Sequence, residues 1–159
     1  MSISHVRIDD RLIHGQVVAT WVSFTGTNTI CIVDDKTAKD SFQAQLMKAV
    51  APRGLEIRVV DLATAKAEFD EWVASPRHIM VLARVPETLL SMVEGGAAIR
   101  SINIGGMGFA TGKRSLYQNI SASEEERATL RRLMELGVEM YCQMLSTQRR
   151  KDLTADMLK

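Results

Sequence analysis

The 159-residue sequence contains no apolar run approaching the roughly 18 residues that a bilayer-crossing helix needs, so no membrane span of its own is expected. Its first residues, Met1-Ser2-Ile3-Ser4-His5-Val6-Arg7, bring charge before the apolar stretch of an export signal could form, which points to the cytoplasm. There are only two cysteines, Cys31 and Cys142, both among apolar neighbours, and they make no disulfide framework. A formal net charge of +1 supplies no global field that would draw the chain to nucleic acid or to an anionic surface. The three histidines, at positions 5, 14 and 78, lack the short helical spacing of common zinc motifs, so no metal is placed. A nucleotide-binding P-loop is also missing. In Gly105-Gly106-Met107-Gly108-Phe109-Ala110-Thr111-Gly112-Lys113-Arg114, Met107 stands where the first P-loop glycine is required, and Arg114 replaces the magnesium-binding serine or threonine.

What is present is an alternation. Short β-branched, apolar runs occur at Ile3 to Ile8, Thr29 to Val33, Leu55 to Val60, Ile79 to Ala83, Ile99 to Ile104 and Val138 to Leu145, and each reads as a strand. Between them, Val17, Val18, Trp21, Val22 and then Leu46, Met47, Val50 recur at helical spacing. Pro86-Glu87 opens a further helix ending near Gly95-Gly96. Ser123 with Glu126 forms a capping-box pattern ahead of Leu130, Leu133, Met134 and the stop at Gly137. Such an alternation predicts an α/β fold, an open, mostly parallel twisted sheet with helices on both faces. With no repeat or linker, residues 1–159 are expected to form a single domain, with residues 150–159 as a short terminal helix or tail.

Chemistry concentrates where the first strand meets the first helix, in Arg7-Ile8-Asp9-Asp10-Arg11-Leu12-Ile13-His14-Gly15-Gln16-Val17. In open α/β sheets, ligands bind at the carboxyl ends of strands. A neutral imidazole at His14 is a nucleophile, and Asp9 or Asp10 could fix its tautomer. Arg7 and Arg11 could neutralise a phosphoryl group, with Gly15 and Gln16 adding helix-start N–H groups. The same residues admit a structural account, in which the aspartates cap the helix, the arginines pair with them at the surface, and His14 is an ordinary residue. His5 and His78 read as strand or edge residues. The Gly105 to Gly108 loop reads either as a source of N–H donors to phosphate or as a turn between strands. Glu124-Glu125-Glu126 reads as first-turn acid, and Arg149-Arg150-Lys151 as a solvated basic cluster.

The segment from Arg7 to Val17 resembles the phosphorylation-site segment of IIB components of the mannose, fructose and sorbose family of bacterial sugar phosphotransferase systems. Further similarities follow in the family's order: Trp21, Val33-Asp34-Asp35, Leu46-Met47-Lys48 with Ala51-Pro52, Asn103-Ile104-Gly105-Gly106-Met107, and Gly137-Val138-Glu139. The resemblance implies a phosphocarrier with no cofactor beyond a covalent phosphohistidine. His14 would take phosphate from a IIA phosphohistidine and pass it to a sugar entering through membrane IIC and IID subunits, which would hold the chain at the inner membrane face. Arg11, Gly15 and Gln16 would surround the phosphate and Asp10 would orient the ring. Gly108 departs from the pattern, where a larger, often histidine or basic, residue is expected. Two rivals remain open at this point: a self-contained enzyme using His14 as general base, and a non-catalytic binding or regulatory module.

Overall fold

The computed structural model describes residues 2–159, the side chains of Gln16 and Val17 excepted. Its elements in chain order are β1 (Ile3–Asp9), α1 (Gly15–Thr25), β2 (Thr29–Val33), α2 (Asp35–Lys39), α3 (Ser41–Ala49), β3 (Glu56–Val60), α4 (Leu62–Ala74), β4 (Ile79–Ala83) and α5 (Pro86–Glu94). There follow β5 (Ser101–Gly106), β6 (Arg114–Tyr117), β7 (Ile120–Ala122), α6 (Glu124–Glu135), β8 (Glu139–Cys142), β9 (Lys151–Asp152) and a 3₁₀ turn at Ala155–Leu158. The main sheet has the order β3-β2-β4-β1-β5-β8-β9; β6 and β7 make a separate hairpin. Every pairing in the main sheet is parallel except β8 with β9.

The continuous apolar runs of β2 and β4 are explained by burial on both faces, since every residue of each is buried. On one face Ile30, Ile32, Met80 and Leu82 pack under Val18 and Trp21 of α1. On the other, Cys31, Val33, Val81 and Ala83 join Phe69 and Trp72 of α4, Leu89 and Met92 of α5, and Leu130 and Leu133 of α6. Both cysteines are free and buried, and burial raises each thiol pKa to about 11. Helix α6 begins on the expected capping box, Ser123 accepting from the Glu126 N–H and Glu126 reciprocating.

The α/β architecture is therefore as the alternation indicates, and all six expected strands are present. The strands β6, β7 and β9 are additions to the expected set, and one expected helix packs differently. Helix α3 has no buried residue, and Leu46 and Val50 of its expected apolar face are largely exposed; the helix lies beside the edge strand β3 and only Met47 packs against the core. The C-terminal residues, expected as a short terminal helix or tail, end in the 3₁₀ turn and are tied down. Buried Arg127 of α6 donates to the carbonyls of Met157 at 2.8 Å, Ser115 at 2.9 Å and Arg114 at 3.2 Å, and Leu158 is buried. Among the described residues, no helix is long and apolar enough to cross a membrane.

The connectivity places the site. From β1 the chain leaves to the face covered by α1, whereas from the neighbouring β4 and β5 it leaves toward the face covered by α5 and α6. Diverging connections open a crevice at the carboxyl end of β1.

Candidate functional site

Alternation along β1 sends Val6 and Ile8 into the core under α4 to α6 and sends His5, Arg7 and Asp9 to the opposite face, where all three are buried. His5 stacks on Trp21 with ring centroids 4.4 Å apart, and the Arg7 guanidinium sits 5.4 Å from the centre of the same ring. Burial lowers the His5 pKa to about 4, with a smaller lowering from Arg7 and an opposing hydrogen bond to Asn103, so His5 is neutral near pH 7. It is a structural histidine, as its strand position suggests. His78 is exposed at the entry to β4.

A buried arginine needs compensation on every side. Arg7 Nη1 donates to Asn103 Oδ1 and, at 3.1 Å, to the Gln143 carbonyl; Nη2 donates to Asp9 Oδ2 at 3.0 Å. Asn103 in turn donates to the Gln143 carbonyl at 3.0 Å and accepts from His5 Nε2 at 3.3 Å. Asp9 is shared three ways. Its Oδ2 also contacts His14 Nε2 at 2.9 Å, and its Oδ1 accepts the Arg11 backbone N–H at 3.0 Å.

This network explains the glycine pair. A Cβ on Gly105 would lie 1.9 Å from Arg7 Cζ, and one on Gly106 would lie 2.6 Å from Asp9 Oδ1. The two glycines are there because buried charged groups of β1 press against the β5 backbone.

The turn after β1 is tight. Leu12 N–H donates to the Asp9 carbonyl at 2.9 Å, and Leu12 adopts a left-handed φ of 55°, unusual for a branched residue. Its side chain and that of Ile13 are buried beneath the turn and anchor it. His14 is the N-cap of α1 in extended conformation, yet its side chain makes no capping bond because its ring is engaged by Asp9. Gly15 follows as the first helical residue with φ 42° and open space around its missing Cβ. The first turn of α1 carries no acidic residue, so the positive end of the helix dipole is not offset there.

The expected residues are thus gathered at one rim, with one reassignment. The carboxylate in contact with the His14 ring is Asp9, not the expected Asp10. The side chain of Asp10 is directed away, its Oδ2 accepting the Gly108 N–H at 2.7 Å. Alternation explains the exchange: Asp9 is the last strand residue on the α1 face, and Asp10 begins the turn. Gly108, the departure from the family pattern, brings its N–H close to Asp10, and a Cβ there would lie 3.2 Å from Asp10 Oδ2. Arg11 is exposed, its guanidinium paired with no described residue. Gln16 is the second residue of α1, and its side chain lies outside the described set. Sequence names Asn103 only within the Asn103 to Met107 segment, with no role of its own, and does not mark Arg84. Both occupy positions that strand register marks, Asn103 opposite Arg7 across β1 and β5, and Arg84 one residue beyond the end of β4.

Comparison with known proteins follows the same lines. The family described as PTS system sorbose subfamily IIB component matches residues 3–159. The sorbose-specific EIIB component of Lacticaseibacillus casei is 32% identical over 155 residues, covering 98% of this chain and 94% of that protein. The mannose-specific EIIAB component of Escherichia coli strain K12 is 35% identical over 147 residues, covering 92% of this chain; the chain spans 46% of the length of that relative. Among solved structures, the IIBSor domain of the sorbose permease from Klebsiella pneumoniae superposes with a TM-score of 0.91 at 31% identity, covering 99% of this chain and 96% of that one. With a match over essentially its whole length, in sequence and in fold, the chain belongs to the sorbose subfamily of phosphotransferase-system IIB components.

Proposed function

We propose that this chain is a phosphocarrier whose His14 accepts a phosphoryl group from the phosphohistidine of a IIA protein and delivers it to a sugar hydroxyl during uptake through IIC and IID membrane subunits. The observation that carries the reading is the 2.9 Å contact between His14 Nε2 and Asp9 Oδ2. With Nε2–H donating to that carboxylate, the lone pair is left on Nδ1, which is the nucleophile. In the first transfer, Nδ1 attacks phosphorus, the donor N–P bond breaks, and its electron pair returns to the donor imidazole. The His14 ring becomes formally cationic, and Asp9 offsets that charge. In the second transfer, a sugar hydroxyl oxygen attacks phosphorus, the hydroxyl proton passes to solvent water, and the P–Nδ1 pair returns to the ring, leaving neutral His14 with its Nε2–H.

Arg11 and the N–H groups of Gly15 and Gln16 would meet the equatorial oxygens as charge builds there. The phosphohistidine donor is already activated, so the protein has mainly to position it. Access fits a handover between proteins: the His14 side chain is 20% exposed, Arg11 is exposed beside it, and Phe109, next to Gly108, is 77% exposed. The name of the mannose-specific EIIAB relative pairs A and B, which supports a IIA partner. The carrier would work in the cytoplasm, held at the inner membrane face by its partners.

The test is delivery. Chain loaded with radioactive phosphate by enzyme I, HPr and IIA, then purified and mixed with membranes holding the IIC and IID subunits, is expected to yield labelled sugar phosphate. His14→Ala carried through the same steps should yield none. Labelled sugar from His14→Ala would overturn the reading.

A further inference from the structure

Arg84 follows the last residue of β4 and reaches across the rim in two directions. Its Nη1 donates to the backbone carbonyl of Asp10 at 2.9 Å, inside the turn that carries His14. Its Nη2 lies 3.3 Å from Thr37 Oγ1 and its Nε 3.5 Å from Asp34 Oδ2, both beyond β2. Asp34 is itself fixed, its Oδ2 accepting from the Thr37 N–H at 3.0 Å and from the Thr37 hydroxyl at 2.5 Å. On the other side, Asp10 is held to β5 and the loop after it, its N–H donating to the Gly106 carbonyl at 2.8 Å and its Oδ2 accepting the Gly108 N–H. The turn is therefore bolted at Asp10 from both halves of the sheet. A fixed turn is needed, because Leu12 two residues later holds a left-handed backbone that persists only when its surroundings impose it.

We propose that Arg84 is a positioning residue for phosphoryl transfer at His14, acting by clamping the Asp10 carbonyl to the β2 rim and thereby holding the Asp9–His14 turn in its reactive shape. The inference rests on the carrier reading above and assigns two arginines different tasks. Arg11, exposed and with its guanidinium paired to none of the described residues, is available to the phosphoryl oxygens, while Arg84 is committed to the turn. The bidentate demand explains why lysine would not serve, since a single ammonium cannot span the Asp10 carbonyl and the Thr37 hydroxyl with a planar fork.

Two measurements test this on Arg84→Lys and Arg84→Ala, each first shown to be folded by its melting transition. In the first, amide hydrogen exchange at Leu12 is expected to quicken about tenfold or more in both variants while exchange in β2 and β4 is unchanged. In the second, transfer from IIA phosphohistidine and from phosphoramidate, a small donor, is expected to fall about ten- to a hundredfold in kcat with KM for IIA nearly constant. Wild-type exchange at Leu12 in both variants overturns the clamp, whether or not the chain accepts phosphate. Quickened exchange with undiminished kcat, or a defect confined to KM for IIA, overturns the positioning role. If wild-type chain accepts no phosphate from either donor, the carrier reading fails separately, and the role of Arg84 in transfer falls with it.

Discussion

Asp9 Oδ2 lies 3.0 Å from the Arg7 guanidinium and 2.9 Å from the His14 imidazole, so a single buried carboxylate oxygen joins the interior of the sheet to its reactive rim. Removing the carboxylate should damage both. Asp9→Asn leaves Arg7 buried without its counter-charge and is expected to lower stability by about 3 kcal/mol, read as a shift in the urea midpoint. The fraction that remains folded should accept phosphate more slowly, on the order of a hundredfold, because the amide does not stabilise a cationic ring. Asp10→Asn, which removes no contact to the ring, should leave the intrinsic rate far closer to wild type.

Gly105→Ala drives a methyl group into the Arg7 guanidinium. It is expected to cost about 1–3 kcal/mol by overpacking, measured by thermal denaturation. The same exchange at Gly108 meets only Asp10 Oδ2 at 3.2 Å and should cost less. Equal losses at the two positions would mean that the β5 backbone does not approach the Arg7 guanidinium closely enough to exclude a methyl group.

His5 gives a pH signature of defined sign. Its folded pKa of about 4 lies below the unfolded value of 6.5, so the unfolded chain binds more protons between those values and stability falls as pH drops from 6.5 toward 4. The lost contribution is on the order of 3 kcal/mol. Arg7 and Asn103 are the groups acting on it, the first lowering and the second raising the pKa. His5→Phe, which keeps an aromatic ring against Trp21, should flatten this part of the stability profile relative to wild type. An unchanged profile would show that His5 protonates freely in the folded state.

Arg127 is expected to govern the C-terminal residues. Arg127→Leu removes the donor to the carbonyls of Met157, Arg114 and Ser115. A stability loss of about 1–3 kcal/mol is expected, with faster protease trimming of the 3₁₀ turn at Ala155–Leu158. Phosphate acceptance at His14 should be unaffected.

Much of this was legible in the residues. The six main strands are visible because parallel strands buried on both faces must be written as β-branched runs, and the α6 boundary because Ser123 and Glu126 cap it reciprocally. His14 could be placed at a strand-to-helix junction for the same reason. The identity of its carboxylate partner needed register. Asp9 and Asp10 are adjacent and chemically identical, and only the face each occupies decides between them. Arg84 was invisible because its partners, Asp10, Asp34 and Thr37, are brought together by strand order and lie 47 to 74 residues away in sequence. The glycine pair at Gly105-Gly106 reads from sequence as part of a loop, whereas it ends strand β5 with Arg7 and Asp9 pressed against it. The exposure of Leu46 and Val50 at helix α3 is not legible, since an apolar spacing does not say how much core an edge strand offers.

The most direct measurement is the intact mass of the chain after incubation with phosphoenolpyruvate, enzyme I, HPr and a cognate IIA, with His14→Ala alongside. A single acid-labile phosphoryl adduct on wild type that is absent from the variant is the expected result. An adduct that persists in His14→Ala, or none on wild type when the donor chain is demonstrably active, would contradict His14 as the carrier.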